Sequence, residues 1–319
     1  MLKKYVRYIG NILVLISFYF IIKILLDNYQ KIHIEFNLHT LTVIFIGIIG
    51  MWIGTANISL GWYFQLKEKY PKITFFTSTF VVFFSQIGKY LPGNIGHFIG
   101  RGFLVQHIVS KSDIVYSLFV ENIILLIVAV AFGVGYLFFI DINYYFSFYE
   151  LLFVLLGIIL VSIAGIYLVK KKISLYALKP TTIIKLFLLA GISTLFGGLV
   201  IYLLADLFDS TNSVSYLQFT AGFALAFLAG FVVPGAPGGI GIREYSFVLL
   251  FQNQLGESVA LQIILLFRVI SILGDISIFL AAYIFKKQAF ESIGVETLST
   301  ESLQEQAKEE HFEQRANSR

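Results

Sequence analysis

GKYLPGNIGHFIGRGFL, residues Gly88 to Leu104, and VVPGAPGGIGIREYSF, residues Val232 to Phe247, are the two stretches on which the architecture turns. Each interrupts an apolar run with Pro and Gly. Pro removes a backbone donor and clashes with the preceding helical turn, while Gly tolerates positive φ, so P-G-x-x-G halts a helix and reverses the chain. Aligned from Pro92 and Pro234, both stretches read P-G-x-x-G-x-x-x-x-R and end on Arg101 and Arg243. Pro92, Gly93 and Gly96 thereby correspond to Pro234, Gly235 and Gly238. A second P-G-x-x-G frame runs from Pro237 through Gly238 and Gly239 to Gly241, and only the arginine spacing selects the first. Of five prolines in the chain, three fall in these motifs, which makes coincidence a strained explanation.

Around the motifs the chain reads as membrane protein. Its 319 residues are 58% hydrophobic and 13% charged, where a soluble domain carries about 25% charged residues. Cysteine is absent, which excludes disulfides, thiolate metal sites and thiol nucleophiles together. No stretch forms a nucleic-acid surface. A bilayer core of about 30 Å needs about 20 helical residues, and six runs satisfy this: about 5–26, 40–63, 113–140, 150–169, 181–205 and 258–285. The first follows Lys3, Lys4 and Arg7 and is too long for a signal-peptide core, so a retained span is expected. The stretches 73–111 and 217–253 are the two broken by Pro and Gly.

Cytoplasmic loops are enriched in Lys and Arg. Lys3, Lys4 and Arg7, then Lys67, Lys69 and Lys72, then Lys170, Lys171, Lys172 and Lys179, then Lys286 and Lys287 therefore mark the inner side. Asp141 to Glu150 and Asp206 to Asn212 carry acid without base and suit the outer side. The economical path makes 73–111 a hairpin entering from the cytoplasm and 217–253 one entering from outside. The alternative, in which 73–88 crosses alone, puts Lys89, Arg101, Lys111 and the triple-lysine cluster outside. The expected fold is an all-α polytopic membrane protein: six full spans and two re-entrant hairpins in an inverted repeat, with halves at about 5–140 and 150–285. Such repeats place transporter sites near the midplane. Residues 1–287 form the membrane domain, and the polar residues 288–319 read as a cytoplasmic tail that is disordered or a solvated helix. Both termini are expected in the cytoplasm.

Unwound backbone cannot face lipid, because its N–H and C=O groups would lack partners. Where helix resumes after a break, its free N–H groups favour an anion, and an arginine beyond adds a fork suited to phosphate. Arg101 and Arg243 are the candidates, beside Pro92, Gly93, Gly96, Pro234, Gly235, Gly238, Gly239 and Gly241. Each has a plainer role open to it: Arg101 can snorkel to the cytoplasmic surface, and Arg243 can pair locally with Glu244 or serve a helix cap. Arg268 and Asp275 lie seven residues apart on one helical face, either bordering a cavity or neutralising one another. Glu121 is a partner for an arginine, a proton carrier or a buried hydrogen-bonded acid. His97 and His107 lack a carboxylate pattern for metal, and the chain has no H-E-x-x-H, G-x-S-x-G or Walker loop. No catalytic residue, metal or cofactor is expected.

The two quoted stretches resemble the signature segments of the lysylphosphatidylglycerol synthase transmembrane-region family, also called flippase-like membrane proteins, over roughly residues 5–287. The P-G-G-x-G-x-R-E motif of the second is the more specific. In that family the membrane region of multiple peptide resistance factors is associated with moving aminoacylated phospholipid across the cytoplasmic membrane. Those proteins also carry a fused synthase domain, with no counterpart in this sequence. The resemblance therefore implies lipid translocation more readily than synthesis, in a prokaryotic cytoplasmic membrane, with a phospholipid or lipid-linked substrate. A second class of role is a non-transporting subunit that positions a glycosyltransferase or lipid-modifying enzyme.

Overall fold

In the computed structural model, residues 19, 26, 37–91, 95–136, 178–232 and 241–292 are described. They form α1 (Leu38–Leu66), α2 (Phe75–Gln86), α3 (Gly96–Val105), α4 (Lys111–Tyr136), α5 (Pro180–Asp206), α6 (Tyr216–Val232), α7 (Ile242–Leu255), α8 (Glu257–Ile284) and α9 (Lys286–Ser292), with 3-10 turns at Ile87–Tyr90 and Ser210–Asn212. No strand occurs among these residues. Helices α1, α4, α5 and α8 are long and apolar enough to cross a membrane, and they coincide with four of the six expected spans. The runs at 5–26 and 150–169, the lysines at 170–172 and the tail beyond residue 292 lie outside the described residues.

Local chemistry sets the helix starts. The Asn37 side-chain oxygen accepts the Thr40 N–H at 2.9 Å to begin α1, and the Thr74 hydroxyl accepts the Thr77 N–H at 3.1 Å to begin α2. Each satisfies a donor that a helix start leaves free. Pro180 opens α5, where its missing N–H costs nothing. The arms of the two broken stretches are short: α2 and α3 have 12 and 10 residues, α6 and α7 have 17 and 14. At 1.5 Å per residue these span about 15–25 Å, less than the bilayer core of about 30 Å.

Packing repeats itself between the halves. Helix α1 contacts α2, α4 and α8, and α5 contacts α6, α8 and α4. In the same way α2 packs on α3 and α8 while α6 packs on α7 and α4, and α3 meets α4 as α7 meets α8. Exchanging α1–α4 for α5–α8 leaves these pairings unchanged, with α1 against α5 joining the halves. Without a hydrophobic force between helices in lipid, small residues and polar bridges supply the close fit. Trp52 Nε1 donates to Ser277 Oγ at 2.8 Å, Trp62 Nε1 to Ser117 Oγ at 2.9 Å, and Asn57 Nδ2 to Ser193 Oγ at 3.1 Å, tying α1 to α8, α4 and α5.

The bundle has two chemically distinct ends. At one, Lys179 meets Glu68 at 3.1 Å and Lys69 meets Asp113 at 2.5 Å. Hydrogen bonding to that carboxylate raises the Lys69 ammonium above its ordinary pKa. The Tyr70 hydroxyl also binds Asp113 and lies 3.2 Å from Ser110 Oγ, so the chain that leaves this end at α2 returns to it after α3. At the other end His39 Nε2 lies 3.5 Å from Asp206, and Gln218 Nε2 donates to Gln254 Oε1 at 2.9 Å, closing the base of the α6–α7 hairpin. The hairpins thus open from opposite ends. One apolar core, with Trp62, Phe80, Val105 and Ile278, surrounds the first hairpin; another, with Phe219, Phe247, Phe251 and Ile263, surrounds the second. Helix α8 serves both, with 61% of its apolar window buried against 22–39% in the other three spans. Those three present large apolar side chains outward, Phe45 and Leu188 among them, which in a membrane is the lipid face.

The polar tail begins in a helix, α9. Helix α9 buries Ala289, and Phe290 meets the Phe80 ring edge-on with centroids 5.4 Å apart. Two apolar residues in an otherwise polar stretch suffice to dock this helix on α2.

Candidate functional site

The return arms α3 and α7 begin at Gly96 and Ile242. In the first hairpin, α2 ends in the 3-10 turn Ile87–Tyr90, and Gly88 touches the start of α3. A Cβ on Gly88 would lie 2.7 Å from the Gly96 carbonyl carbon and 2.8 Å from the His97 nitrogen. The pair brings the arms together backbone to backbone, so Gly96 serves close approach. In the second hairpin, Gly241 takes φ +83°, a left-handed conformation that favours glycine, and Glu244 Oε2 accepts the Gly241 N–H at 2.6 Å. Pro92, Gly93, Pro234, Gly235, Gly238 and Gly239 lie outside the described residues.

Where α2 and α6 end and α3 and α7 begin is a cavity of about 200 Å³. A single water needs about 10–15 Å³ of such space, so the cavity has room for a polar group of many atoms. Its lining draws on both halves: Lys89, Tyr90, His97 and Arg101 from the first hairpin, Glu121 and Asn122 from α4, Phe227 from α6, Arg243 and Glu244 from α7, and Arg268 from α8. Arg101 and Arg243, matched by spacing in the sequence, therefore share one space.

The charges around it are paired across helices. Arg101 Nη1 donates to both carboxylate oxygens of Glu121 at 2.9 and 3.0 Å. Its side chain is 1% exposed, so it does not snorkel to the surface. Glu244 pairs with Arg268 rather than with its neighbour Arg243, and the same carboxylate holds the Gly241 N–H. The α7 start is thereby already occupied by an acid, contrary to the expectation that both helix starts face an anion. Asp275, 1% exposed, accepts from the Tyr90 hydroxyl at 2.6 Å and pairs with Lys89. Arg268 and Asp275 share a helical face as expected, yet they do not neutralise one another; each reaches a different hairpin. The halves use the same link with the charges exchanged: arginine on α3 and acid on α4, then acid on α7 and arginine on α8.

Arg243 has no carboxylate partner among the described residues. Its guanidinium carbon sits 4.9 Å from the centre of the Phe227 ring, a cation–π contact. Arg243 Nε, Arg101 Nε and His97 Nδ1 are buried without a hydrogen-bond partner. A site expecting a ligand with acceptor oxygens would leave such atoms open. No group of three His, Cys, Asp or Glu residues suited to a metal occurs among the described residues.

Lys89, Tyr90 and Phe227 escaped the sequence reading. Lys89 had served only as a marker of orientation, although its place three residues before Pro92 mirrors the position of Phe231 before Pro234 and already put it at a tip. Tyr90 and Phe227 carried no signal, because aromatic residues are common throughout this chain.

Comparison with curated proteins returns no match. The family comparison agrees with the all-helical architecture and the four apolar spans: the model for the lysylphosphatidylglycerol synthase TM region matches residues 9–276, and the chain belongs to that family.

Proposed function

We propose that this chain translocates a phospholipid or lipid-linked precursor across the cytoplasmic membrane of a prokaryote. In this reading the short hairpins are re-entrant, the two halves form an inverted repeat, and the lysine-rich end of the bundle faces the cytoplasm with both termini. The phosphate headgroup enters the cavity, held by Arg243 with Arg101 beside it, while the acyl tails stay in lipid. Glu121, Glu244, Arg268 and Asp275 fasten the hairpins to the spans and set the charge around the headgroup. No covalent step is assigned to the chain.

The observation that carries this reading is the meeting of Arg101 and Arg243, from opposite hairpins, at one cavity in which Arg243 makes no ion pair with a carboxylate of the described residues. An arginine without a counter-ion at membrane depth is costly and marks a binding site or pathway. Its planar fork suits phosphate oxygens. Lipid handling also accords with the family to which the chain belongs.

The test is translocation of a tail-labelled fluorescent phosphatidylglycerol in proteoliposomes, read by chemical quenching of outer-leaflet label. The wild-type protein is expected to expose inner-leaflet label to quencher, and Arg243→Gln to slow this by about tenfold or more, the scale of one lost charge-assisted contact. Equal rates in wild-type and protein-free vesicles would refute translocation. If removal of residues 293–319 then impaired function in cells while Arg243→Gln did not, the chain would act instead by supporting a lipid- or glycan-modifying enzyme.

A further inference from the structure

A second concentration of charge lies away from the cavity, at the lysine-rich end of the seam where α1 packs against α5. The two helices run antiparallel, with His39 near Asp206 at one end and Lys179 on Glu68 at 3.1 Å at the other, so the end of α1 meets the start of α5 there. Lys67 Nζ sits 4.9 Å from the centre of the Tyr63 ring and 5.1 Å from that of Phe64, and Lys185 Nζ sits 4.6 Å from the same Phe64 ring. Two ammonium groups, one from each half of the bundle, thus converge on one aromatic side chain. Here Lys67, Lys179 and Lys185 stand against a single carboxylate, Glu68, while Asp113 is held by Lys69. Whichever lysine Glu68 serves, two positive charges are in excess among the described residues of this end of the seam.

Lys185 stands on the face that α5 turns outward to lipid. It lies five residues beyond Pro180, about 7.5 Å along the helix, and is exposed beside Ile184 and Leu188, which are 58% and 61% exposed. A charge at that depth beside acyl chains is costly, and contact with the Phe64 ring offsets only part of the cost. Lys67 adds to it, because its charge has the same sign. An anion within reach of both ammonium groups relieves the cost and the repulsion together. We propose that this end of the α1–α5 seam binds the phosphate of an anionic phospholipid from the adjoining leaflet, as a resident lipid separate from the cavity. The non-bridging phosphate oxygens accept from Lys67 Nζ and Lys185 Nζ, and the acyl chains lie along Ile184 and Leu188. Because α1 and α5 are the helices that join the halves, the lipid ties the halves together at this end. Its binding does not depend on translocation through the cavity.

The test uses the full-length protein in dodecyl maltoside, with dioleoyl-phosphatidylglycerol and dioleoyl-phosphatidylcholine as probes. Native mass spectrometry counts the lipids each chain retains, and thermal melting measures stabilisation. The wild-type protein is expected to retain phosphatidylglycerol with an apparent affinity about tenfold or more above that for phosphatidylcholine, the scale of two basic residues at an anionic headgroup. Lys67→Gln with Lys185→Gln should lose one retained phosphatidylglycerol per chain, and Lys67→Arg with Lys185→Arg should keep it. Lys72→Gln with Lys287→Gln removes the same charge from two exposed positions and should retain lipid as the wild type does. Should the first glutamine pair fail to fold, Lys185→Gln alone carries the same expectation. Equal retention of the two lipids by the wild type overturns the site, as does an unchanged phosphatidylglycerol count in the first glutamine pair. An equal loss in both glutamine pairs also overturns it, because the effect is then one of general surface charge. Inorganic phosphate that stabilises the protein as well as phosphatidylglycerol does overturns the lipid as the ligand.

Discussion

Replacing Glu121 by Gln should weaken the protein and strengthen its grip on anions at the same time. Arg101 Nη1 bonds both Glu121 oxygens, and the two side chains are 1% and 17% exposed. Removing one partner of a buried ion pair costs about 3–5 kcal/mol, chiefly because the other charge is left uncompensated. Helices that stay in the membrane on unfolding find substitute polar partners, and Glu121 is not fully enclosed, so about 2–3 kcal/mol is expected here. Arg101→Met with Glu121→Gln removes both charges and should lie within about 1 kcal/mol of wild type. Denaturation in mixed micelles, followed by circular dichroism, measures both. The binding change has the opposite sign: Glu121→Gln leaves Arg101 as a second free cation at the cavity, and dihexanoyl-phosphatidylglycerol should stabilise this variant more than wild type. A single variant as stable as the double, or one that loses stability and lipid response together, would refute the argument that Glu121 holds a functional cation in check.

The remaining predictions concern the frame around the site. Gly88→Ala should separate the arms of the first hairpin and lower thermal stability sharply, whereas Gly54→Ala, with nothing within 4 Å of its added methyl, should be neutral or stabilising by about 0.5–1 kcal/mol; a similar melting temperature for both variants would refute the close-packed tip. Tyr90→Phe removes a donor to buried Asp275 and should cost about 1.5–3 kcal/mol by micelle denaturation, and no change would mean that Lys89 alone satisfies the acid. Single cysteines, free of native background, should react with an impermeant thiol reagent on intact cells at Asp209→Cys and Glu257→Cys, but not at Lys72→Cys or Lys287→Cys; the reverse pattern would invert the orientation.

Membrane character and the long helices were legible in the sequence because they depend on local properties. Hydropathy over about 20 residues marks a span wherever it later packs, and α1, α4, α5 and α8 fall on expected runs. Short broken arms were legible for the same reason: the Pro-Gly interruptions act on their own backbone, and α2, α3, α6 and α7 end beside them. Arg101 and Arg243, matched in spacing along the chain, both line one cavity.

Partnership among the charges was a different matter. Sequence offered Glu244 beside Arg243 and Asp275 seven residues from Arg268, both plausible pairs by proximity along the chain. Folding instead matched Glu244 with Arg268, Asp275 with Lys89 and Tyr90, and Glu121 with Arg101. The reason is physical: a buried charge is costly unless it is compensated within a few ångströms in space, and the nearest opposite charge in space is set by which helices cross. The α7–α8 and α3–α4 crossings, and the seating of the Ile87–Tyr90 turn against α8, assign those partners. Arg243 is left without an ion pair among the described residues, a property of the packed bundle that no spacing of residues along the chain expresses.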